Sequence, residues 1–442
     1  MKKITGLVSA LLLSMGVAGL AGCSDGKIHV TFWHTMGSAN RALLDRMIAK
    51  FNELYPDVKI DHNQAGDYSA LYDKLNSAIP AGTMPTMAFC YPDNVADYMA
   101  SNAVVNIEDY LKDENLKFNE EDGLESDFLE SYWKEGLEYQ QDGMYSVPYA
   151  KSTEVLFYNK TFFNENNLTV PTTWTEMWAL CRQIKDVIIP SNPAKYGGIE
   201  FPLGYDSDAN LFITMCEQRG IPYTTNENIS QPSDHVVFNN DQAKAMATEL
   251  VGYMDEGLFK TKGCLPNNAY TSTYFTESKI VMSIGSTGGT SYQTSNNFEV
   301  AVAPAPTMDG NGKYVSQGPS ICFFKKGSKE VKEAAWNFYK FIVRAQNTAA
   351  YSASTGYEPV RNSAYENTDY QEYLAGDSLQ AKTSYATSTI KGRYFTSAVY
   401  NGSATARDAV ETIFASMYND QLRLSANEAF AKAYKTATDA AK

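Results

Sequence analysis

Short apolar segments with the pattern of strands alternate with longer segments of helical periodicity, and this alternation constrains the fold more than any other feature. In the first hundred residues the two patterns follow one another at 29–33, 43–54, 58–62, 68–78 and 86–91. Strand side chains repeat every two residues and helix side chains every 3.6, so the spacing of apolar residues separates the two. This alternation predicts an α/β fold with a doubly wound, mostly parallel sheet.

The loops after the first and third predicted strands are the first candidates for a binding site. Ligands of doubly wound sheets bind beyond the carboxyl ends of the strands. The loops at 33–38 and 91–94 have that position. Trp33 ends the first strand, where an aromatic side chain serves either strand-end packing or the stacking of a ligand.

The remainder of the chain continues the alternation. Further strands are predicted at 155–158, 280–284 and 300–302, and further helices after 171, at 210–218 and at 329–343. An Asp-Gly pair between strand-like runs predicts a hairpin at 139–145. A hydroxyl residue followed by glutamate, at 172–176 and again at 425–428, is typical of the first turn of a helix.

The first 22 residues have the pattern of a bacterial lipoprotein signal peptide. Lys2 and Lys3 precede an uncharged stretch that ends in LAGC at 20–23. A positive end, an apolar run and small residues before the cut are typical of a segment that is removed. We expect Cys23 to carry lipid, with 23–26 as a short tether, which predicts an extracytoplasmic protein anchored to the cell membrane, at the cell surface or in the periplasm. An uncleaved anchor helix is the alternative.

Composition excludes several classes of protein. The chain has 442 residues, a net charge of -14 and 44% hydrophobic residues, which suits a large folded core rather than a disordered chain. A mean hydropathy of -0.35 excludes a protein with many membrane spans. The excess of 51 acidic over 37 basic residues argues against nucleic acid, because binding to phosphate backbones needs a basic surface.

Neither a metal nor a cofactor is indicated. The cysteines after Cys23 include no C-x-x-C spacing, so buried free thiols are expected, and one disulfide stays open. The histidines lack the spacing of a metal site. The glycine-rich turn at 285–290 lacks the lysine that a phosphate-binding P-loop requires.

An ordered set of segments resembles the extracellular substrate-binding lipoproteins of ABC importers, in the carbohydrate group and most closely the glycerol-3-phosphate-binding type. The segments are VTFWHTM at 30–36, FYNK at 157–160, PTTW at 171–174, TGYEPV at 355–360 and GR at 392–393. The resemblance implies a two-lobed type II clamshell whose chain crosses between lobes near 148–152, 300 and 345. It implies one lobe at 27–148 plus 301–345 and the other at 149–300 plus 346–442.

The resemblance also implies the residues that contact the ligand. They are Tyr68, Tyr91, Asp93, Ser152, Ser286, Gly318, Tyr357 and Arg393, with Arg393 at the position that meets a phosphate. Read without the resemblance, Arg393 is a structural ion-pair residue and Asp93 is a helix N-cap. The stretch at 199–212 lacks the tryptophans of the glycerol-phosphate type, and an aspartate at 93 replaces a longer glutamate. A neutral sugar is therefore expected as readily as a glycerol phosphate.

These features together predict a monomeric receptor that has no catalytic residues, binds no metal and needs no cofactor. It would capture a sugar or glycerol-phosphate-type ligand between its lobes and deliver it to the transmembrane subunits of an ABC permease. The alternative is a secreted, lipid-anchored glycoside-processing enzyme, for which Asp93 and Glu358 are an example of a carboxylate pair. A lipid-anchored adhesion protein with a vestigial cleft is a third hypothesis.

Overall fold

The computed structural model describes residues 26–418 and 422–442. The expected signal peptide, Cys23 and the tether up to residue 25 lie outside the described residues. In chain order the strands are β1 Ile28–His34, β2 Val58–Gln64, β3 Met87–Cys90, β4 Val147–Pro148, β5 Glu154–Asn159, β6 Leu203–Tyr205, β7 Phe259–Thr261, β8 Met282–Ser286, β9 Val300–Pro304, β10 Tyr314–Val315, β11 Ser320–Phe323 and β12 Tyr394–Phe395.

Helices separate most of these strands. They are α1 Ser38–Leu54, α2 Tyr68–Ala78, α3 Pro92–Ala100, α4 Glu108–Lys112, α5 Glu130–Lys134, α6 Lys160–Glu165, α7 Trp174–Gln183, α8 Ile189–Ser191, α9 Pro193–Tyr196, α10 Asp208–Arg219, α11 Asp241–Asp255, α12 Thr271–Thr276, α13 Lys329–Ile342, α14 Ala345–Thr355, α15 Thr368–Leu374, α16 Leu379–Ser388, α17 Ser403–Tyr418 and α18 Ala426–Ala440. One π-helical turn, Ile184–Ile188, continues α7.

Ten of the twelve strands described form two five-stranded sheets, one in each lobe of a clamshell, and β10 pairs with β12 in a separate two-stranded sheet. The order is β2-β1-β3-β11-β4 in the first sheet and β7-β6-β8-β5-β9 in the second. We call the part of the molecule built on the first sheet the first lobe, and the part built on the other the second lobe. In each sheet two neighbouring pairs are parallel and two are antiparallel. The sheets are therefore mixed, whereas the sequence predicts mostly parallel ones. The antiparallel pairs arise because strands such as β11 return from the opposite lobe.

Local sequence signals explain where several helices begin. Thr173 and Glu176 form a complete capping box at the start of α7, and Ser425 and Glu428 form another at the start of α18. In both boxes the hydroxyl oxygen accepts from the third helical N–H while the carboxylate accepts from the N-cap N–H. The predicted capping signals are thus confirmed.

The predicted hairpin at 139–145 is wrong. Tyr139 pairs with Val399 in an isolated parallel bridge, and the N–H of Tyr145 bonds to the carbonyl of Gly136. The N–H of Met144 is taken by the side chain of Asn106 at 3.1 Å. The turn residues are present, but partners distant in sequence bind both arms, so the arms do not pair with each other.

Three segments cross between the lobes side by side. Lys151 pairs with Glu358, and Ser152 pairs with Gln317, in antiparallel bridges. The Ser152 and Gln317 main chains exchange two hydrogen bonds, of 2.9 and 2.8 Å. Strand β9, Val300–Pro304, belongs to the second sheet, so the crossover expected near 300 lies instead near Gln317. The third segment, at Glu358, follows α14 and lies beside Lys151.

Substituting alanine for Gly318 is expected to lower the free energy of unfolding by about 1–3 kcal/mol. Gly318 has φ +90°, and a Cβ there would lie 2.5 Å from the carbonyl oxygen of Ala150 on the adjacent crossover. Gly289→Ala is the matched control, since its Cβ would meet nothing within 4 Å. Urea unfolding of both variants measures the difference. Equal stability of Gly318→Ala and the control would contradict the tight packing of the crossovers.

Candidate ligand-binding cleft

A cavity of about 350 Å³ lies between the lobes, above the crossovers. The first lobe contributes the starts of α2 and α3, the second lobe contributes α10 and the start of α17, and the crossover near Gln317 forms part of the wall. The lining residues are Tyr68, Ser69, Tyr72, Tyr91, Pro92, Asp93, Asn94, Glu135, Ile213, Tyr223, Thr224, Val315, Ser316, Gln317, Gly318, Thr396, Ser397, Ala398, Val399, Ser403, Ala404, Arg407 and Asp408.

Tyrosine side chains supply much of the apolar surface of the cavity. The rings of Tyr68 and Tyr91 lie with their centroids 4.4 Å apart, and Tyr72 and Tyr223 complete a set of four. Burial raises the pKa of Tyr68 and of Tyr91 above the usual value, so both hydroxyls stay protonated at neutral pH. Each ring therefore offers an apolar face and a hydroxyl group, a combination that suits hydroxyl-rich ligands.

One arginine and three carboxylates line the cavity, and one of the three, Glu135, is paired with Lys151. Arg407, in the second turn of α17, donates to the side-chain oxygen of Asn210. Asp93 and Asp408 line the same cavity. The amide oxygen of Asn210 also accepts from Gln317 at 3.1 Å, so this side chain joins the second lobe to a crossover. The cavity thus offers both donors and acceptors, and its carboxylates outnumber its cation.

Behind Asn210 lies a buried carboxyl group. The Nδ2 of Asn210 donates to Glu154 at 2.9 Å, and the hydroxyl of Tyr205 donates to the other oxygen of Glu154. Burial raises the pKa of Glu154 to about 7. Glu154 does not line the cavity, but it accepts from Asn210, which in turn accepts from the lining residue Arg407.

A buried ion pair supports the cavity from the crossover side. The Nζ of Lys151 contacts the carboxylate of Glu135, and the two side chains are 0% and 2% exposed. The hydroxyls of Ser316 and Ser320 each donate to Glu135 at 3.1 Å. Because Glu135 is paired in this way, it adds no uncompensated charge to the cavity wall.

Four of the residues expected at the site line the cavity, and a fifth lies next to it. Tyr68, Tyr91, Asp93 and Gly318 are lining residues. Tyr357 is not, but its side chain is within hydrogen-bond reach of the lining residue Tyr68. These residues come from separate loops that the fold brings together.

Arg393 lies away from the cavity, contrary to the expectation. Its Nη2 donates to the carbonyl oxygens of Gly310 and Gly312, at 3.2 and 2.7 Å, and its guanidinium lies 5.3 Å from the ring centroid of Tyr314. Arg393 directly precedes β12, whose pairing with β10 directs it toward this turn. The arginine of the cavity is Arg407, which sequence reasoning missed.

The three remaining residues expected at the site lie outside the cavity and contact other parts of the protein. Ser152 is 3% exposed and pairs through its main chain, and the hydroxyl of Ser286 accepts from the N–H of Gly288 at 3.2 Å. Trp33 is half-buried, with the ammonium group of Lys74 4.1 Å from its ring centroid. None of the three lines the cavity.

The described residues form neither a metal site nor a membrane-spanning helix. Across residues 26–418 and 422–442, no group of three or more metal-ligating side chains is arranged to hold an ion. In those residues there is also no helix with both the length and the apolar character needed to cross a bilayer. The described cysteines are free thiols at Cys90, Cys181, Cys216, Cys264 and Cys322.

Comparison with known proteins places this geometry in a family. Residues 46–377 match the family model of bacterial extracellular solute-binding proteins. The sn-glycerol-3-phosphate-binding periplasmic protein UgpB of Escherichia coli (strain K12) is 24% identical over 385 residues, which is 84% of this chain and 83% of that protein. The corresponding protein of Shigella flexneri serotype 5b (strain 8401) is also 24% identical, with the same coverage.

Solved structures with similar folds cover nearly the whole chain. UgpB from Mycobacterium tuberculosis, in complex with glycerophosphocholine, has a TM-score of 0.71 at 19% identity and covers 94% of this chain and 98% of its own. The substrate-binding protein Lmo0181 from Listeria monocytogenes, in complex with cycloalternan, has a TM-score of 0.73 at 17% identity and covers 93% and 98%. Since the family match spans most of the sequence and the fold agrees, the chain belongs to the family of bacterial extracellular solute-binding proteins.

Proposed function

We propose that the cleft captures a small, hydroxyl-rich solute of the sugar or glycerol-phosphate type and that the protein delivers it to the permease subunits of an ABC transporter. The observation that carries this proposal is the cavity between the lobes, which both lobes line with tyrosines, an arginine and carboxylates. A ligand that contacts both lobes stabilises the closed form, because its contacts with one lobe are lost when the lobes separate.

The balance of charge favours a neutral sugar over a phosphorylated ligand. Arg407 faces two carboxylates, Asp93 and Asp408, so a phosphate dianion would enter an already acidic wall. A volume of about 350 Å³ is at the small end of ligand sites and suits a sugar of one or two rings. A glycerol phosphate is the second candidate, because the relatives that match along the sequence bind sn-glycerol 3-phosphate.

We further propose that the protein has no enzymatic activity. The carboxylate pair considered for a glycosidase is Asp93 with Glu358. Asp93 lines the cavity, whereas Glu358 is 0% exposed on a crossover and accepts hydrogen bonds from Tyr394 and Tyr365. A catalytic carboxylate has to reach the scissile bond, and this position of Glu358 keeps it from a substrate in the cleft.

The proposal includes the cellular setting. We infer that a signal peptide at 1–22 is removed, that Cys23 carries lipid, and that a monomer tethered by 23–26 works outside the cytoplasm. Two or more acyl chains give stable anchoring where one alone is marginal. Such a tether would keep the captured solute close to the permease.

A thermal-shift screen tests the proposed function. Sugars, polyols and their phosphates are added one at a time, and a compound at about one hundred times its Kd is expected to stabilise the native state by about 2.7 kcal/mol, because it binds only the folded form. Recovery of the compound unchanged after incubation separates binding from catalysis. Turnover of a glycoside would overturn the receptor assignment.

Removing one tyrosine of the pair in the cavity is expected to weaken binding of the compound that the screen identifies. Tyr68→Ala deletes one ring of the pair with Tyr91, and we expect a loss of affinity of about 1–3 kcal/mol from the lost apolar contact and hydroxyl bond. Tyr292→Ala is the control, since Tyr292 is 75% exposed. Isothermal titration calorimetry measures both. Equal affinity of the two variants would exclude this part of the cavity as the binding site.

A further inference from the structure

The carboxylate of Asp97 joins the two lobes at one end of the cleft. Its Oδ2 accepts from the hydroxyl of Tyr72 at 2.6 Å, and its Oδ1 accepts from the main-chain N–H of Gly402 at 3.0 Å. Asp97 lies on α3 and Tyr72 on α2, which both belong to the first lobe. Gly402 directly precedes α17, which packs on α18 and α10 of the second lobe.

The two hydrogen bonds have different fates when the lobes separate. The bond from Tyr72 lies within the first lobe and holds the Asp97 carboxylate in position in the open and the closed forms. The bond from Gly402 lies between the lobes, so it exists only while the cleft is closed. Asp97 therefore makes one contact that distinguishes the two forms, and only such contacts shift the equilibrium between them.

The Asp97 carboxylate binds a part of the second lobe that favours a negative charge. The N–H of Gly402 is at the start of a helix of 16 residues, where the free N–H groups and the helix dipole favour a negative charge. Burial raises the pKa of Asp97 above its usual value, and the hydrogen bonds from Tyr72 and from the N–H of Gly402 offset part of this effect.

The backbone at Gly402 is held in place before any ligand arrives. Gly402 has φ +101°, and a Cβ there would lie 2.5 Å from the carbonyl oxygen of Ala440 at the end of α18. Its own carbonyl accepts from Ala406 at 3.0 Å. The N–H that meets Asp97 thus has a fixed direction, which reduces the entropy lost when the bond forms.

The same region of the structure adjoins the cavity. Tyr72 lines the cavity from the first lobe, and Ser403, the residue after Gly402, lines it from the second. We propose that Asp97 is a positioning residue for ligand capture: its bond to Gly402 fastens the lobes over the cavity and sets the rate at which any bound solute leaves. This inference rests on the proposed function, because it assumes that the ligand is held between the lobes.

The experiment combines a readout without ligand and one with ligand. Dyes on the two lobes report the closed fraction by single-molecule energy transfer, in wild type, Asp97→Ala and Asp97→Asn. Asp73→Ala, an exposed carboxylate on α2, is the matched control. Dissociation rates are measured with maltose and with sn-glycerol 3-phosphate as the probes.

We expect Asp97→Ala to lower the ratio of closed to open protein about tenfold and to raise the dissociation rate of a bound probe by the same factor, with an unchanged association rate. Asp97→Asn keeps an oxygen that accepts from Gly402 but loses the charge, so an intermediate effect is expected, and Asp73→Ala should behave as wild type. A closed fraction and a dissociation rate in Asp97→Ala equal to those of wild type would overturn the inference.

The two proposals fail in different ways. If neither probe binds, nor any compound of the screen, the proposed function fails, whereas the closed fraction without ligand still tests Asp97. If a probe binds and Asp97→Ala changes its affinity for one ligand only, Asp97 is a specificity residue and the fastening of the lobes is excluded. Circular dichroism and thermal unfolding of each variant establish that it is folded.

Discussion

Lys151→Met is expected to lower the free energy of unfolding by about 3–5 kcal/mol, because it leaves the carboxylate of Glu135 buried without its cation. The two side chains are 0% and 2% exposed, and Lys151 also donates to Ser320 at 2.9 Å. Lys151 lies on the first crossover, between the lobes. Urea unfolding, with the free energy of unfolding extrapolated to zero urea, measures the loss.

A double variant distinguishes the buried charge from the volume of the side chain. Lys151→Met with Glu135→Gln removes both charges, and we expect it to recover most of the lost stability, since the desolvation cost disappears with the charge. The surface control is Lys112→Met, which breaks an exposed pair with Glu108 at 2.8 Å and should leave the stability nearly unchanged, because water screens the pair. If the double variant is as unstable as Lys151→Met, the unpaired charge is not the cause.

Glu358→Gln is expected to stabilise the protein at alkaline pH by up to about 3 kcal/mol, with no gain at pH 4. Glu358 is buried on a crossover, its Oε1 has no hydrogen-bond partner in the part of the chain that the structure describes, and its other oxygen accepts from Tyr394. Burial raises its pKa from an ordinary value of 4.5 to about 7.

The pH window follows from these two values. Below pH 4.5 the carboxyl is protonated in both the folded and the unfolded chain, so it does not change the stability. Between pH 4.5 and 7 the unfolded chain ionises first, so the folded state binds more protons and loses stability as the pH rises. Above pH 7 the full cost of the buried charge is present, and the uncharged glutamine avoids it.

Chemical denaturation of wild type and Glu358→Gln from pH 4 to 8 measures this difference. The gap in the free energy of unfolding should open between pH 4.5 and 7 and then stay constant. Glu53→Gln on α1 replaces an exposed glutamate and should show no such change. A gap that is the same at every pH would contradict the raised pKa of Glu358.

The parts of the site that sequence reasoning reached lie close to strand ends. Tyr91 and Asp93 follow β3 directly, in a loop that the order of strands predicted, whereas Tyr68, at the start of α2, was expected only from the resemblance to the family. Position relative to a strand is a local property, and apolar periodicity reveals it. The same holds for the bounds of α2, where the predicted and observed residues agree.

Arg407 and Arg393 could not be assigned from local pattern. Arg407 reaches the cavity because α17 packs on α10 and α18, a contact between helices distant in the sequence. Arg393 is held by two carbonyl groups of a turn some eighty residues earlier in the chain. The mixed order of the sheets has the same origin, because it depends on which strands return across the crossovers.

The position of β11 in the first sheet determines the order in which the molecule can be completed during synthesis. This strand lies between β3 and β4, yet it enters the chain only at Ser320, long after both of its neighbours. A nascent chain that ends before it leaves β3 and β4 with unpaired edges, which are prone to aggregation. The first lobe can therefore finish folding only after the strands of the second sheet have been synthesised, and neither lobe can be excised as one continuous fragment.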